Sequence, residues 1–141
     1  PVKFDTVFID APCSGTGTMR RHPEIPWRLT ENDVTTELPK LQLMMLKEAA
    51  ARVAAGGELI YATCSVFDEE NTQVVDAFLA SPEGSCFTVA PLSEAQILQL
   101  PDFEQAKKLV FVRQNDRGLF QSVPVNADSY DGHFCARLIR K

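Results

Sequence analysis

Two short apolar runs in the chain have the character of buried strands. They lie at residues 4–9 and 58–63, and polar or glycine-containing segments follow or precede each of them. Short apolar runs rich in branched and aromatic side chains are typical of strands that are covered on both faces. We therefore predict that both runs are strands of one sheet.

A long helix is predicted between these strands, over residues 30–55. Thr30 followed by Asp33 resembles a capping box at its start, and a proline such as Pro39 fits only near the first turn of a helix. Gly56 and Gly57 provide the signal that ends it. Its predicted buried face consists of apolar residues at helical spacing: Leu38, Leu41, Met45, Ala49 and Val53.

A second helix is predicted after residue 67. Asp68, Glu69 and Glu70 stand at its start, where the helix dipole favours acidic side chains. Its apolar side consists of Val74, Val75, Phe78 and Leu79, and it stops at Ser81 and Pro82. The order strand, helix, strand, helix is typical of a parallel sheet covered by helices.

The last third of the chain has a less regular pattern. Strands are predicted at residues 87–89, 109–112, 119–123 and 133–139, and a helical turn or two at residues 93–100. The final strands would add an antiparallel edge to the sheet. The predicted fold class is therefore α/β, with parallel strands and an antiparallel edge.

Composition and charge narrow the classes of protein that remain. The chain has 141 residues, of which 45% are hydrophobic, so one domain with a real core is expected. It has no apolar run of about 18 residues, the length of a membrane span. The net charge of −5 gives no global argument for nucleic-acid binding. Four cysteines without a Cys-x-x-Cys pair favour a reduced, cytoplasmic protein without a metal site.

Two of these cysteines follow the first two predicted strands. Asp10, Pro12 and Cys13 come directly after the first strand, and Cys64 follows the second in the sequence Thr-Cys-Ser. Ligands of open α/β sheets bind at the carboxyl ends of the strands, so we predict that the two cysteines meet at one site. Each precedes a helix, whose N-terminus can lower the pKa of a thiol. The alternative, that each is an inert buried thiol, stays open at this point.

The segment after the first of these sites has a basic and aromatic character. Residues 19–28 contain two prolines, which predict an irregular surface loop, together with Arg20, Arg21, His22, Trp27 and Arg28. Basic groups beside an aromatic ring suit contact with phosphates and bases. Equally, Trp27 could cap the core while the arginines are solvated. The spacing from Cys13 to Arg20 is one residue too long for a cysteine phosphatase, and no phosphate-loop lysine follows the glycines.

Taken in order, these motifs resemble those of the RNA cytosine-5 methyltransferases. The resemblance is carried by residues 10–17, 20–25, 61–65, 69–71, 131–134 and 136–138, together with Trp27. It covers nearly the whole chain, with weaker correspondence over residues 82–117. The loop with Arg20, Arg21 and His22 is most similar to that of the bacterial Sun-type enzymes, which modify 16S ribosomal RNA.

The resemblance implies a role for each matching residue. In that family the cysteine of the Thr-Cys-Ser motif attacks carbon 6 of the target cytosine, which implies that Cys64 is the nucleophile. Cys13 is implied to remove the carbon-5 proton and release the product. Asp10 and Pro12 are expected beside the methyl donor S-adenosylmethionine, and Asp10 also at the cytosine edge. The RNA, expected to be ribosomal, would contact Arg20, Arg21 and His22.

The resemblance also implies that residues 1–141 are one partial domain, the C-terminal half of a Rossmann-like methyltransferase sheet. The Gly-rich loop and the acidic strand ends that hold most of the cofactor in that class are absent from this sequence. We therefore expect the chain alone to be inactive, and the strand at residues 4–9 to expose an apolar edge that favours self-association. The alternative function is a non-catalytic module of the same fold that binds RNA or protein.

Overall fold

The computed structural model describes residues 2–93, 95–96, 99, 114–124 and 130–141, which form a mixed five-stranded sheet with helices packed on it. The strands are β1 (Phe4–Asp10), β2 (Val53–Thr63), β3 (Phe87–Val89), β4 (Phe120–Ser122) and β5 (His133–Arg140). The helices are α1 (Ile25–Arg28), α2 (Leu38–Ala50) and α3 (Thr72–Leu79). The predicted α/β class is therefore confirmed.

The sheet combines parallel and antiparallel pairing. Its order is β1-β2-β5-β3, and β4 also pairs with β5. The pair β1 and β2 is parallel, whereas β5 runs antiparallel to β2, β3 and β4. Within the described residues β1 is an edge strand, and its Phe8 side chain is 61% exposed. The predicted exposed apolar edge is therefore present.

The predicted C-terminal end of the long helix, near residue 55, is wrong. Helix α2 ends at Ala50, and residues 53–55 belong to β2, where the fully buried Val53 pairs with Phe4. Gly56 and Gly57 lie in an irregularity of this strand. Gly56 has φ +74°, and a Cβ atom on Gly57 would lie 2.8 Å from the carbonyl oxygen of Asp5. These glycines therefore serve strand pairing and do not end a helix.

The start of the same helical region agrees with the predicted capping box. The Asp33 N–H donates to Thr30 Oγ1 (3.2 Å), and the Thr30 N–H donates to Asp33 Oδ2 (2.8 Å). A widened π-helical turn at Asp33–Glu37 then leads into α2, with the Leu38 N–H bonded to the Asp33 carbonyl. This wider turn accommodates Pro39, which has no N–H and would crowd the preceding turn of a regular helix.

The buried face of α2 is displaced by one residue from the predicted face. Gln42, Leu46 and Ala50 are its buried positions, whereas Leu41 is exposed. The centre of the face is a glutamine, which a search for apolar periodicity does not count. Gln42 therefore marks a position where a polar contact replaces hydrophobic packing.

Helix α3 has the predicted apolar side, since Val74, Val75 and Phe78 are buried. The prediction that Glu70 is an acid of the helix start is wrong. Asp68–Glu70 form a 3₁₀ turn before the helix, and the Glu70 side chain points inward and is fully buried. A carboxylate in that position needs a polar environment inside the protein, not a helix dipole at its surface.

The predicted irregular loop after residue 18 is partly wrong, because α1 is a short helix. Pro26 lies in its first turn, where the missing N–H has no intrahelical partner to lose. The predicted strands at 87–89, 119–123 and 133–139 are confirmed by β3, β4 and β5. The predicted strand at 109–112 and much of the helical turn at 93–100 lie outside the described residues. None of the described helices has the length and apolar character of a membrane span.

Candidate active site

The ends of β1 and β2 bring two cysteines into contact. The parallel pairing places Asp10 opposite Ala62, and the Ala11 N–H continues it by donating to the Ala62 carbonyl (2.9 Å). Beyond these ends, the Sγ atoms of Cys13 and Cys64 are 3.3 Å apart and form a hydrogen bond. Both residues are half-buried. The prediction that the two strand ends meet is therefore confirmed.

The contact shifts the pKa values of the two thiols in opposite directions. The hydrogen bond from the Cys13 thiol lowers the pKa of Cys64 to about 6, against its partial burial. The same hydrogen bond, together with burial, raises the pKa of Cys13 far above the usual range of a thiol. These shifts favour the thiolate form of Cys64 and the protonated form of Cys13. The raised pKa of Cys13 shows no activation of this thiol while the contact is in place.

Two charged residues act on the Cys64 sulfur from either side. The pairing of Thr63 with Phe134 places His133, the first residue of β5, beside the end of β2 that leads to Cys64, and its positive charge lowers the pKa of Cys64. Asp10, exposed at the end of β1, raises the pKa of Cys64 through its negative charge. Sequence reasoning missed His133 as a site residue, since its distance from Cys64 along the chain conceals the cross-strand neighbourhood.

A cluster of hydroxyl groups joins the segment that carries Cys13 to the segment that carries Cys64. These two segments are called the cysteine loops below. Thr16 Oγ1 accepts a hydrogen bond from the Val66 N–H (3.1 Å), and Ser14 Oγ bonds to Ser65 Oγ (3.2 Å). The Gly17 N–H donates to the carbonyl of Cys64 (2.8 Å). Each contact joins one loop to the other, so the sulfur contact rests on a bonded framework and not on the cysteines alone.

The loop after Cys13 also packs closely on the start of β5. The Gly132 N–H donates to the Gly17 carbonyl (2.8 Å), and a Cβ atom on Gly17 would lie only 2.1 Å from the Gly132 carbonyl oxygen. Only a glycine allows this approach. The contact fixes the position of His133 relative to the cysteine loops.

The predicted RNA-facing residues lie on the surface, held by ion pairs. Arg20 Nη2 lies 3.2 Å from Asp131 Oδ1, and Arg21 Nη2 lies 2.6 Å from Asp131 Oδ2. His22 Nδ1 lies 3.4 Å from Glu24 Oε1. Because Asp131 adjoins the start of β5, its carboxylate ties both arginines to the rim of the site.

The structure excludes one interpretation of the tryptophan. The Trp27 side chain is 89% exposed, so it does not cap the core. Cys13 opens into a neighbouring groove of about 550 Å³, whose charged lining comes from Arg28, Asp33 and Glu37. A groove of this size falls within the range of small-ligand sites.

Other proteins share this fold. The solved structure of PH0851 superposes on 95% of this chain and 26% of its own length, with a TM-score of 0.70 and 36% identity. The structure of a methyltransferase homologue from Pyrococcus horikoshii covers 99% of this chain and 40% of its own, with a TM-score of 0.67; at 22% identity it shows the fold alone. The sheet thus has the fold of that methyltransferase homologue.

Sequence comparison narrows this fold to one family. The profile of the 16S rRNA methyltransferase RsmB/F family matches residues 1–139, and the chain belongs to that family. The ribosomal RNA small subunit methyltransferase B of Salmonella arizonae is 39% identical over 140 residues, which are 99% of this chain and 27% of the relative. The chain therefore spans about a quarter of the length of such relatives.

Proposed function

We propose that this chain carries the nucleophile of an enzyme that methylates carbon 5 of a cytosine in 16S ribosomal RNA. The observation that carries the proposal is the 3.3 Å sulfur contact, with the pKa of Cys64 lowered and that of Cys13 raised. Family membership supports an rRNA substrate. The choice of carbon 5 rests on the chemistry that a thiolate makes available.

Cys64 begins the reaction as a nucleophile. Its thiolate adds to carbon 6 of the cytosine, and the electrons of the carbon 5–carbon 6 double bond become available at carbon 5. S-adenosylmethionine, when bound, supplies the methyl group that carbon 5 takes up. Such covalent catalysis divides one difficult step into two easier ones.

Cys13 completes the reaction as a base. While Cys64 is a thiolate, its hydrogen bond and charge keep the proton on Cys13. Once Cys64 has become a thioether, that negative charge is gone and Cys13 can give up its proton to solvent more easily. A Cys13 thiolate then takes the carbon-5 proton, the double bond re-forms, and the Cys64 thiolate leaves. The contact thus orders the two steps.

The residues present fit one side of a cofactor site. Asp10 and Pro12 are exposed at the carboxyl end of β1, beside an open sheet edge. A carboxylate there suits a cationic methyl donor. Asp10 and Pro12 would hold this side of S-adenosylmethionine, and the remaining contacts are expected from parts of the protein outside this chain. The chain alone is therefore proposed to be inactive.

RNA would approach over the surface formed by α1 and the loop before it. Arg20 and Arg21 supply positive charge at the rim, His22 lies beside them, and the exposed Trp27 offers a ring for base stacking. Local basic groups can bind phosphates although the whole chain is acidic.

The test replaces the nucleophile in the full-length protein. Cys64→Ala is expected to lower the rate of methyl transfer to unmodified 16S rRNA by about 10³-fold or more. Cys86→Ala, a half-buried cysteine beside β3, serves as the matched control and is expected to keep wild-type activity. Mass analysis of the RNA nucleosides identifies the methylated atom.

The same experiment addresses the alternative of a binding module. A non-catalytic protein would bind RNA with equal affinity as wild type and as Cys64→Ala, and neither form would transfer methyl groups. A Cys64→Ala protein with undiminished methylation would refute the nucleophilic role.

A further inference from the structure

A fully buried carboxylate lies behind the two cysteine loops. Glu70 is 0% exposed and accepts three hydrogen bonds. The Ser14 N–H donates to its Oε1 atom (2.8 Å), Gln42 Nε2 donates to the same oxygen (3.0 Å), and the Ser65 hydroxyl donates to Oε2 (2.5 Å). No salt bridge to a described cation accompanies these contacts.

The three donors come from both cysteine loops and from the helix behind them. Ser14 directly follows Cys13, and Ser65 directly follows Cys64. Glu70 therefore bridges the two backbone segments that carry the sulfur atoms. Oε1 of Glu70 accepts the bond from the Cys13 loop, and Oε2 accepts the bond from the Cys64 loop.

Gln42 adds a second link to the Cys13 loop. Its Nε2 atom also donates to the carbonyl of Pro12 (3.0 Å), so the residues on both sides of Cys13 are held by one pair of buried side chains. Gln42 is likewise 0% exposed, and its Oε1 atom finds no partner among the described residues. An unsatisfied buried oxygen costs stability, as does a buried carboxylate without a cation. Apolar side chains would fill this space at lower cost.

We propose that Glu70 is a positioning residue that holds the Cys13 and Cys64 loops together, so that the two sulfur atoms stay in hydrogen-bond contact. Gln42 supports it by fixing Glu70 and Pro12 to α2. Glu70 touches neither sulfur, and its effect on the chemistry passes through the loops. The consequence for methyl transfer rests on the proposed function, whereas the consequence for thiol reactivity does not.

The test measures the reactivity of Cys64 without RNA or cofactor. In the full-length protein, the rate of alkylation of Cys64 by iodoacetamide is followed across pH by peptide mass analysis. Wild type is expected to react with a midpoint near pH 6, the value that the contact with Cys13 gives the Cys64 thiolate. Glu70→Gln keeps the size of the side chain but removes one acceptor, so its midpoint is expected to move toward that of an ordinary thiol. At pH 6, alkylation would fall about tenfold or more.

Two controls separate positioning from loss of stability. Glu69→Gln makes the same change at the preceding residue and is expected to leave the midpoint unchanged. Ser81→Ala removes two buried hydrogen bonds at the end of α3, to the Phe78 carbonyl and from the Gly84 N–H. It is expected to lower the melting temperature without moving the midpoint. If Glu70→Gln does not fold, Ser65→Ala takes its place with the same expectation. It removes the bond to Glu70 Oε2 together with the contacts of the hydroxyl to Ser14 Oγ, Thr16 Oγ1 and the Phe67 N–H.

The outcomes are distinct from those of the methylation test. A folded Glu70→Gln protein with the wild-type midpoint would overturn the positioning role, whatever the enzyme methylates. A shifted midpoint in a protein whose Cys64→Ala form still methylates RNA would support positioning and refute the proposed function. If both hold, Glu70→Gln is expected to lower kcat with little change in KM for RNA.

Discussion

Two identical side chains acquire opposite properties at this site because of what surrounds them. Cys13 and Cys64 both follow strands, and the sequence pattern alone predicts only that they meet. Their surroundings distinguish them: the contact lowers the pKa of Cys64 and raises that of Cys13, and the charges of His133 and Asp10 also act on Cys64. The residue type thus indicates which chemistry is available, and the neighbouring groups determine which of the two cysteines performs it.

The two charged neighbours are expected to move the reactivity of Cys64 in opposite directions. His133→Gln removes a positive charge that favours the thiolate, so the midpoint of alkylation should rise and the rate at pH 6 should fall roughly threefold. Asp10→Asn removes a negative charge that opposes the thiolate, so the midpoint should fall. The measurement is the initial alkylation rate of Cys64 against pH in the full-length protein. Shifts of the same sign in both variants would contradict this electrostatic account.

At the scale of elements, β1 combines a buried face with an unpaired edge. Val7 and Ile9 pack toward the core, whereas Phe4 and Phe8 lie on the opposite side and are exposed. An exposed apolar edge strand is a template for pairing with another chain. The pattern of residues 4–9 predicts this strand. Among the described residues β1 pairs only with β2, so its other edge is open there.

The 141-residue chain is therefore expected to self-associate through β1 in a concentration-dependent way. Phe8→Lys places a charge on the edge strand and should shift the chain toward monomer, because a charged edge opposes pairing between chains. Trp27→Lys is the matched control, since it removes an even more exposed aromatic from α1 and should leave association unchanged. Sedimentation over a concentration series distinguishes the outcomes. A wild-type chain that is monomeric at every concentration would contradict a β1 interface. So would a chain that Trp27→Lys, but not Phe8→Lys, makes monomeric.

At the scale of the whole molecule, local periodicity predicted the order of elements but not the polar contacts between them. The strands around Cys13 and Cys64 were predictable because apolar runs and turn residues mark them. Gln42 and Glu70 were not, since each is a polar residue whose partners lie far away in the sequence, and their burial follows from three-dimensional packing. The local pattern predicts a helix for residues 53–55, because it does not reveal the pairing of Val53 with Phe4, which is likewise non-local.

The nucleophilic role of Cys64 is tested most directly by trapping its covalent bond to RNA. A 16S rRNA substrate carrying 5-fluorocytidine at the target position would be incubated with the full-length protein and S-adenosylmethionine. The fluorine on carbon 5 cannot be removed as a proton, so the bond to carbon 6 should persist and can be located by peptide mass analysis. We predict that the nucleotide is attached to Cys64. Attachment to Cys13, or no adduct from a protein that methylates ordinary RNA, would contradict this mechanism.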